Sequence, residues 1–187
     1  MAKKEGGKSQ EKFIFSLFFL ASGEIPALTT SGRGCLAETA SLCLESQGHE
    51  SGVELSVRGH LSESITLQWE PVTDQMHRCW ADDQEATEFG ACGIAALLIH
   101  EFTDLTVVEC SVKGTGFDYW LGTKSSEAPL FQEKSRLEVS GIRKGDDAAL
   151  RRRVNEKTEQ TKRSDGRLPA YVIVVEFSTP RSQTVKR

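Results

Sequence analysis

Helix-like and strand-like hydrophobic patterns follow one another in a definite order between Asp82 and Ser178, and this order limits the possible folds. A helical pattern comes first, followed by three strand-like runs, a second helix and a final strand. The final run, Ala170 to Phe177, is almost continuously apolar, which is typical of a strand covered on both faces. We therefore expect an α/β (α+β) domain whose α-β-β-β-α-β core forms a mixed sheet flanked by helices.

Both helices of this core have recognisable N-termini. Asp82 and Glu85 have the spacing of a capping box, and apolar side chains then recur at helical spacing. Small residues in this helix, Gly90 and Gly93 among them, predict close packing against the sheet. Asp146 or its neighbour Asp147 can cap the second helix, which is polar and extends to about residue 162.

Alternating side chains predict three strands between the two helices. These strands are Thr106–Val112, Phe117–Leu121 and Arg136–Ile142. A short Gly-rich hairpin joins the first two strands, and a loop containing Pro129 precedes the third. Asp118 and Trp120 share one face of the second strand, and Glu138 and Ser140 share one face of the third. Asp118 and Glu138 are therefore expected to meet on neighbouring strands.

The remainder of the chain divides into segments of different composition. We expect a helix near 37–44 and an antiparallel hairpin from strands near 53–57 and 65–69, whereas 22–34 has the Gly, Ser and Thr content of a linker. The predicted segments are an apolar and flexible N-terminus (1–34), a helix and hairpin extension (35–81), the core (82–178) and a basic tail (179–187).

The apolar run from Phe13 to Ala21 has two interpretations. Lysines precede it, as in a secretory signal peptide, but it could equally be a buried strand or helix that packs on the domain. The run is too short to span a bilayer as a helix, so no transmembrane segment is expected. Five Cys at irregular spacings favour free thiols and a cytoplasmic protein, with export as the alternative.

Charge is distributed unevenly, although the net charge is only −4. Residues 1–142 contain 11 Lys/Arg and 21 Asp/Glu, whereas 143–187 contain 12 Lys/Arg and 6 Asp/Glu. A basic region on an acidic body can face a polyanion, or it can be a solvated helix with a loose tail. On the first interpretation, the residues expected to contact nucleic-acid phosphates are Arg151, Arg152, Arg153 and Lys157.

The order of elements resembles the core of the PD-(D/E)XK nuclease superfamily, whose fold is that of restriction endonucleases. Gly116-Phe117-Asp118 on the second strand, Glu138-Val139-Ser140 on the third and Glu88 on the first helix carry this resemblance, which covers about half the chain. The resemblance implies that Asp118 and Glu138, assisted by Glu88, coordinate Mg²⁺ or Mn²⁺ for phosphodiester hydrolysis. Alternatively, the two carboxylates merely make an exposed sheet end soluble.

One position departs from that family's pattern. Ser140 stands where a catalytic Lys is implied, and a Ser cannot carry charge. Lys113 and Lys144 are the nearest candidates to replace it in sequence. The departure leaves an alternative to a nuclease: an inactive module on the same fold that binds nucleic acid or protein, such as a subunit of a defence or repair complex. A third possibility is an exported protein that binds another kind of partner.

Overall fold

A mixed sheet forms the centre of the protein in this computed structural model, which describes residues 13–22, 24–124, 135–162 and 168–187. Its strands are β1 (Phe13–Ser16), β2 (Val53–Gly59), β3 (Glu63–Gln68), β4 (Leu105–Cys110), β5 (Tyr119–Thr123), β6 (Ser135–Ile142), β7 (Ala170–Glu176) and β8 (Arg181–Lys186). The helices are α1 (Leu17–Ser22), α2 (Thr30–Glu45), α3 (Asp74–Cys79), α4 (Asp83–Phe102) and α5 (Asp147–Lys162). The loop expected around Pro129 lies outside the described residues.

The strands are arranged in the order β1-β3-β2-β8-β7-β6-β5-β4. Strands β4, β5 and β6 form an antiparallel series, after which α5 connects β6 to its parallel neighbour β7. The succession α4-β4-β5-β6-α5-β7 is the expected α-β-β-β-α-β order, and helices flank the mixed sheet. The predicted fold class is therefore confirmed.

The two faces of the sheet have different coverings. Helices α2 and α4 lie on one face over the main hydrophobic core, which includes Tyr171, Ile173 and Val175 of β7. Helix α5 lies on the other face, where Leu150 and Val154 contact a small apolar cluster on β7. The continuously apolar sequence of β7 follows from this arrangement, because its alternate side chains are buried on opposite faces.

Helix α4 begins as predicted, and two of its glycines pack against α2. Asp82 caps the helix, since its Oδ1 accepts hydrogen bonds from the backbone N–H groups of Gln84 and Glu85 at 2.8 and 3.0 Å. Gly90 and Gly93 face α2, where an added Cβ would lie 3.0 Å from a backbone oxygen in each case. Helix α4 packs against the sheet as predicted, but these two glycines lie at its contact with α2.

The glycine that brings α4 close to the sheet belongs to β6. A Cβ added to Gly141 would lie only 2.4 Å from the carbonyl oxygen of Thr87 on α4. Real Cβ atoms do not approach backbone oxygens so closely, so a side chain here would push the helix away. This contact fixes the first turns of α4 against β6, next to Glu138.

The N-terminal segment is more regular than its composition suggested. Helix α2 begins at residue 30, where the Thr29 hydroxyl accepts a 3.1 Å hydrogen bond from the backbone N–H of Gly32. Much of the predicted linker is therefore helix, because the cap and packing against α4 outweigh the low helix propensity of glycine. Leu17 and Leu20 of α1 are buried in the main core, as the packed interpretation of the apolar run requires.

The C-terminal segment is a strand and not the expected basic tail. The β2–β3 hairpin is present as predicted, and β8 lies between β2 and β7, so it joins the hairpin to the rest of the sheet. Ser182 and Thr184 are buried in β8, at positions where apolar residues would have made the strand recognisable from the sequence. The Thr184 hydroxyl donates a 2.9 Å hydrogen bond to the carbonyl of Arg58, which offsets the cost of its burial.

The described residues contain no helix that is both long and apolar enough to cross a membrane. All five cysteines fall within the described ranges, and all are free thiols. Burial raises the pKa of the Cys43 thiol to about 11, although Arg143 opposes this shift. Cys43 is consequently an inert, protonated thiol in the core beside α4.

Candidate active site

Asp118 lies opposite Glu138 where β5 begins. The pairing of Tyr119 with Leu137 places Asp118 in register with Glu138, one residue before the strand starts. The backbone N–H of Asp118 donates to the carbonyl of Leu137 at 2.9 Å, and the Asp118 carbonyl accepts from Ser111 at 2.7 Å. Directly paired residues of antiparallel strands share a face, so the two carboxylates are neighbours, as the sequence predicted.

Glu138 is a buried carboxylate with two different oxygens. Only 1% of the residue's surface is exposed. Its Oε1 accepts hydrogen bonds from the Lys157 ammonium at 2.5 Å and from the Gln160 amide at 3.1 Å. Its Oε2 is also buried, yet it has no hydrogen-bond partner among the described residues. A buried oxygen without a donor is costly, and a cation could satisfy it.

Asp118 is more open to solvent than Glu138 but lies within a concave surface. Its Oδ2 accepts a 2.7 Å hydrogen bond from the backbone N–H of Val139. Desolvation by the surrounding protein raises the pKa of Asp118, and that hydrogen bond opposes the shift. The charge of Glu88 raises the pKa further. Asp118 is thus a fixed carboxylate in a region of concentrated negative charge.

Charge repulsion between the two carboxylates contributes to a raised pKa of Glu138. Burial, and then the charge of Asp118, raise the pKa of Glu138 to about 7, although Lys157 opposes the shift. When Glu138 is protonated, the two side chains share a hydrogen bond, and when both are ionised neither can donate one to the other. A divalent cation between them would relieve this repulsion.

The carboxylates lie at a cleft of about 330 Å³ that is open at one end of the sheet. Helix α4 forms one wall and α5 the other, and β5 and β6 form the floor between them. The lining residues are Glu88, Phe89, Cys92, Asp118, Tyr119, Val139, Ser140, Arg153 and Lys157. Glu138 lies just beneath this lining, where its Lys157 partner reaches it from the cleft wall.

Helix α5 supplies the positive charge that the third strand lacks. Lys157 contacts Glu138, and Arg153 Nη1 donates a 2.9 Å hydrogen bond to the Ser140 hydroxyl. Ser140 therefore stands where a Lys was implied and binds a cation from the helix. Asp146 is the residue that caps α5, since its Oδ1 accepts from the backbone N–H of Ala149 at 2.7 Å.

Helical spacing is the sequence signal that could have identified these cations as inward-facing. Lys157 follows Val154 by three residues and Leu150 by seven, and Arg153 follows Leu150 by three. Residues at these separations share one face of a helix, so both cations lie on the apolar stripe that faces the sheet. The sequence interpretation grouped them with Arg151 and Arg152, which are exposed and do not line the cleft.

The other predicted site residues have different positions. Glu88 lines the cleft, and its Oε1 accepts a 3.1 Å hydrogen bond from the Gln84 amide. Lys113 is exposed in the turn before β5, and Lys144 is exposed after β6. Neither of these lysines lines the cleft, so the ammonium beside the carboxylates belongs to Lys157.

The sequence did not assign to the site three side chains that line it, those of Cys92, Tyr119 and Phe89. Burial raises the pKa of the Cys92 thiol to about 12, and burial also raises the pKa of Tyr119 well above its ordinary value. Both groups are protonated near neutral pH, so they are hydrogen-bond donors and not bases. The third, Phe89, is an exposed aromatic residue in the α4 wall.

The described residues contain no cluster of three or more His, Cys, Asp or Glu side chains that could hold a metal ion. The pair of Asp118 and Glu138 is nevertheless compatible with Mg²⁺ or Mn²⁺. These ions prefer hard oxygen ligands, and Mg²⁺ is commonly held by one or two carboxylates together with water and substrate phosphate. The unpartnered Oε2 of Glu138 is the feature of the site that fits such an ion best.

Comparison with known proteins gives no relative. No family model, no curated protein and no solved structure matches this chain. The chemistry of the cleft therefore has to be inferred from its own residues, namely two opposed carboxylates on the floor and two cations on the α5 wall.

Proposed function

We propose that this chain is a metal-dependent nuclease of the PD-(D/E)XK type, which hydrolyses phosphodiester bonds in nucleic acid. Glu138 is the observation that carries the proposal. It is buried opposite Asp118, one of its oxygens is held by Lys157, and the other lacks a donor among the described residues. A structural carboxylate would be expected to have both oxygens satisfied.

Asp118 and Glu138 would hold the metal ion, and Glu88 would add negative charge from the α4 wall. When bound, Mg²⁺ or Mn²⁺ supplies a coordinated water of lowered pKa and neutralises charge on the phosphate. The hydrogen bond from the Val139 N–H fixes the orientation of the Asp118 carboxylate before any ligand arrives. Such preorganisation avoids reorganisation during the reaction.

Lys157 would perform the role implied for a Lys at position 140. Its ammonium lies 2.5 Å from Glu138 on the inner face of α5 and is only partly exposed. From this position it can donate a hydrogen bond to a water or phosphate oxygen in the cleft. A Lys that extends from α5 to the strands would therefore replace the Lys that the resemblance implies on β6.

Arg153 is suited to bind the phosphate itself. The Ser140 hydroxyl accepts a hydrogen bond from one guanidinium nitrogen, which orients the group at the cleft wall. The Nε of Arg153 lies 3.4 Å from Glu156, and the second terminal nitrogen is placed to bind a phosphate oxygen at the cleft. Together, Arg153 and Lys157 would offset the charge of a polyanion approaching an acidic floor.

A second candidate function is supported by the same ion pair. Lys157 and Gln160 already satisfy Oε1 of Glu138, so the fold can hold this carboxylate without hydrolysing anything. The chain would then be an inactive module that binds nucleic acid or a protein partner, for example within a defence or repair complex. Binding that survives a chelator, without any cleavage, is the result expected of such a module.

The test of the nuclease is metal-dependent cleavage by the purified chain, measured on single-stranded and duplex DNA and RNA with Mg²⁺ or Mn²⁺. Asp118→Asn and Glu138→Gln are each expected to lower the rate by about 100-fold or more, because each keeps the shape and removes a ligand charge. Asp104→Asn, at an exposed position away from the cleft, is the matched control and should retain full activity.

Calorimetry with Mn²⁺ distinguishes a chain that cannot bind metal from an enzyme whose substrate is absent from the panel. The wild-type chain should take up Mn²⁺, and Glu138→Gln should abolish that uptake. Absence of both cleavage and Mn²⁺ uptake across the panel would refute the nuclease and leave the binding module as the better description.

A further inference from the structure

We propose that Phe89 is a stacking platform for an unpaired base, so that the cleft accepts single-stranded nucleic acid in preference to duplex. The inference rests on the proposed function, because it names the substrate class of the same site. Phe89 follows Glu88 on α4, lines the cleft and is 40% exposed. It is not among the residues of the main hydrophobic core or those packed against it.

A single exposed apolar side chain is ordinary on a protein surface, and the location of Phe89 is what gives it a use. The cleft is also lined by charged side chains, namely the carboxyl groups of Glu88 and Asp118, the guanidinium of Arg153 and the ammonium of Lys157. An aromatic face among phosphate-binding cations is the combination with which single-stranded nucleic acid is bound.

A second aromatic ring supports Phe89. The centroid of the Trp80 ring lies 5.5 Å from that of Phe89, with an angle of 44° between the ring planes. The Trp80 indole N–H donates a 3.2 Å hydrogen bond to the Glu38 carboxylate of α2, which fixes its orientation. Phe89 is therefore backed on one side and exposed on the side of the cleft.

The backbone beneath Phe89 is also fixed. Gly90, the next residue, lies so close to α2 that an added Cβ would be 3.0 Å from the Thr39 carbonyl oxygen. On the other side, Thr87 packs against Gly141 of β6. Contacts on both sides hold this turn of α4 in place, so the ring is presented without an ordering cost on binding.

The opposite wall determines how a nucleotide would lie. Arg153 and Lys157 extend from α5 into the space that Phe89 faces from α4. A base on the Phe89 ring would direct its phosphate towards these cations and the carboxylates beneath them. A volume of about 330 Å³ is at the small end of ligand sites, which suits one nucleotide and not a base pair with its partner strand.

The test measures binding separately from cleavage. The parent is Asp118→Asn, and the probes are a labelled oligothymidine of about 12 nucleotides and its duplex with oligodeoxyadenosine, followed by anisotropy at low salt. Added to this parent, Phe89→Leu is expected to weaken single-strand binding about tenfold, because leucine keeps apolar area but has no ring face. Binding to the duplex should change by less than about twofold.

Two further variants exclude a merely structural effect. Phe89→Trp keeps a ring face, so it should bind the single strand at least as tightly as the parent, and its fluorescence should be quenched on binding. Phe18→Leu changes a more exposed phenylalanine of α1, away from the cleft, and should have no effect on either probe. Thermal unfolding should be the same for all variants to within a few degrees.

The outcomes distinguish the inference from the function on which it rests. If the parent binds the single strand but Phe89→Leu leaves that affinity unchanged, or if the parent prefers the duplex, the stacking platform is refuted and the nuclease proposal survives. If the parent binds neither probe at low salt, the stacking platform is refuted, and the nuclease proposal is decided by the cleavage and Mn²⁺ measurements on the wild-type chain.

Discussion

The two faces of the central sheet contrast in both packing and chemistry. The face beneath α2 and α4 is a continuous apolar core that includes fully buried residues such as Ile94 and Leu98. The face beneath α5 has an apolar cluster of only a few side chains, next to buried Arg136, Glu138 and Ser140. Stability is therefore concentrated on one face and polar chemistry on the other.

This contrast explains how the fold can hold a destabilising site. Burying carboxylates and cations costs free energy that hydrogen bonds recover only in part. The large apolar core under α4 supplies the stabilisation that offsets this cost. The close contact between Thr87 and Gly141 holds the first turns of α4 in place at the edge of the cleft. Variants of the buried apolar residues under α4 should therefore change stability most, and variants of the polar residues under α5 should change function.

The largest expected effect is on the α4 face. Leu98→Ala should reduce the free energy of unfolding by about 4 kcal/mol, because Leu98 is fully buried in the large core and its removal leaves a cavity. Leu150→Ala is the matched variant on α5 and should cost about 2 kcal/mol, since its cluster is small and close to solvent. Urea unfolding measures both, and equal losses would contradict the contrast between the faces.

The second prediction concerns function on the α5 face. Lys157→Ala should lower metal-dependent cleavage by about 100-fold, as removal of a preorganised charged donor does in other active sites. Lys162→Ala lies on the same helix in an exposed ion pair with Glu159 and is the control. Lys113→Ala and Lys144→Ala should retain activity as well. A loss confined to Lys113→Ala or Lys144→Ala would place the functional ammonium elsewhere.

These comparisons also indicate what the sequence could and could not predict about the fold. Periodicity located the core elements, because their apolar side chains follow one consistent spacing. It missed β8, where Ser182 and Thr184 are buried and a hydrogen bond from the Thr184 hydroxyl to Arg58 is a contact that composition does not reveal. It also missed the start of α2, where packing against α4 overrides the glycines of that segment.

The candidate site was predictable where strand register alone decided it. Alternation along β5 and β6 was sufficient to bring Asp118 and Glu138 together, since adjacent antiparallel strands leave little freedom. The source of the ammonium was not predictable in the same way. Lys113 and Lys144 are near the carboxylates in sequence, whereas Lys157 reaches them only because α5 crosses that face of the sheet.

The third prediction uses the raised pKa of Glu138. Burial and the charge of Asp118 raise this pKa to about 7, so the folded protein retains a proton that the unfolded chain releases near pH 4.3. The Glu138 contribution to the stability of the metal-free protein should therefore fall as the pH rises from about 5 to 7, by up to about 1.4 kcal/mol per pH unit. Asp118, whose pKa is also raised, contributes in the same direction, whereas His100, whose pKa is lowered by burial, contributes in the opposite direction.

Glu138→Gln should remove the Glu138 part of that pH dependence. Glu54→Gln, at an exposed position of β2, serves as the control and should leave the dependence unchanged. Thermal unfolding in the presence of a chelator, repeated across this pH range, is the measurement. Parallel curves for wild type and Glu138→Gln would mean that Glu138 titrates normally and is not strained by its environment.

The smallest expected effect distinguishes the outer and inner cations of α5. Arg152 is exposed and lies 4.0 Å from Glu156, whereas Arg153 is directed into the cleft by Ser140. Both guanidinium groups can release counterions from a nucleic acid. Arg152→Gln and Arg153→Gln should therefore each make the slope of the logarithm of the binding constant against the logarithm of the salt concentration less steep, by the amount expected for the loss of one phosphate contact, which is somewhat less than one. Only Arg153→Gln should also slow cleavage, by about tenfold, because only Arg153 lies beside the carboxylates. Anisotropy titrations over a range of salt concentrations, combined with single-turnover cleavage, separate the two effects. If Arg152→Gln slowed cleavage as much as Arg153→Gln, the reacting phosphate would have to lie on the outer face of α5, and the cleft would not be the site of the reaction.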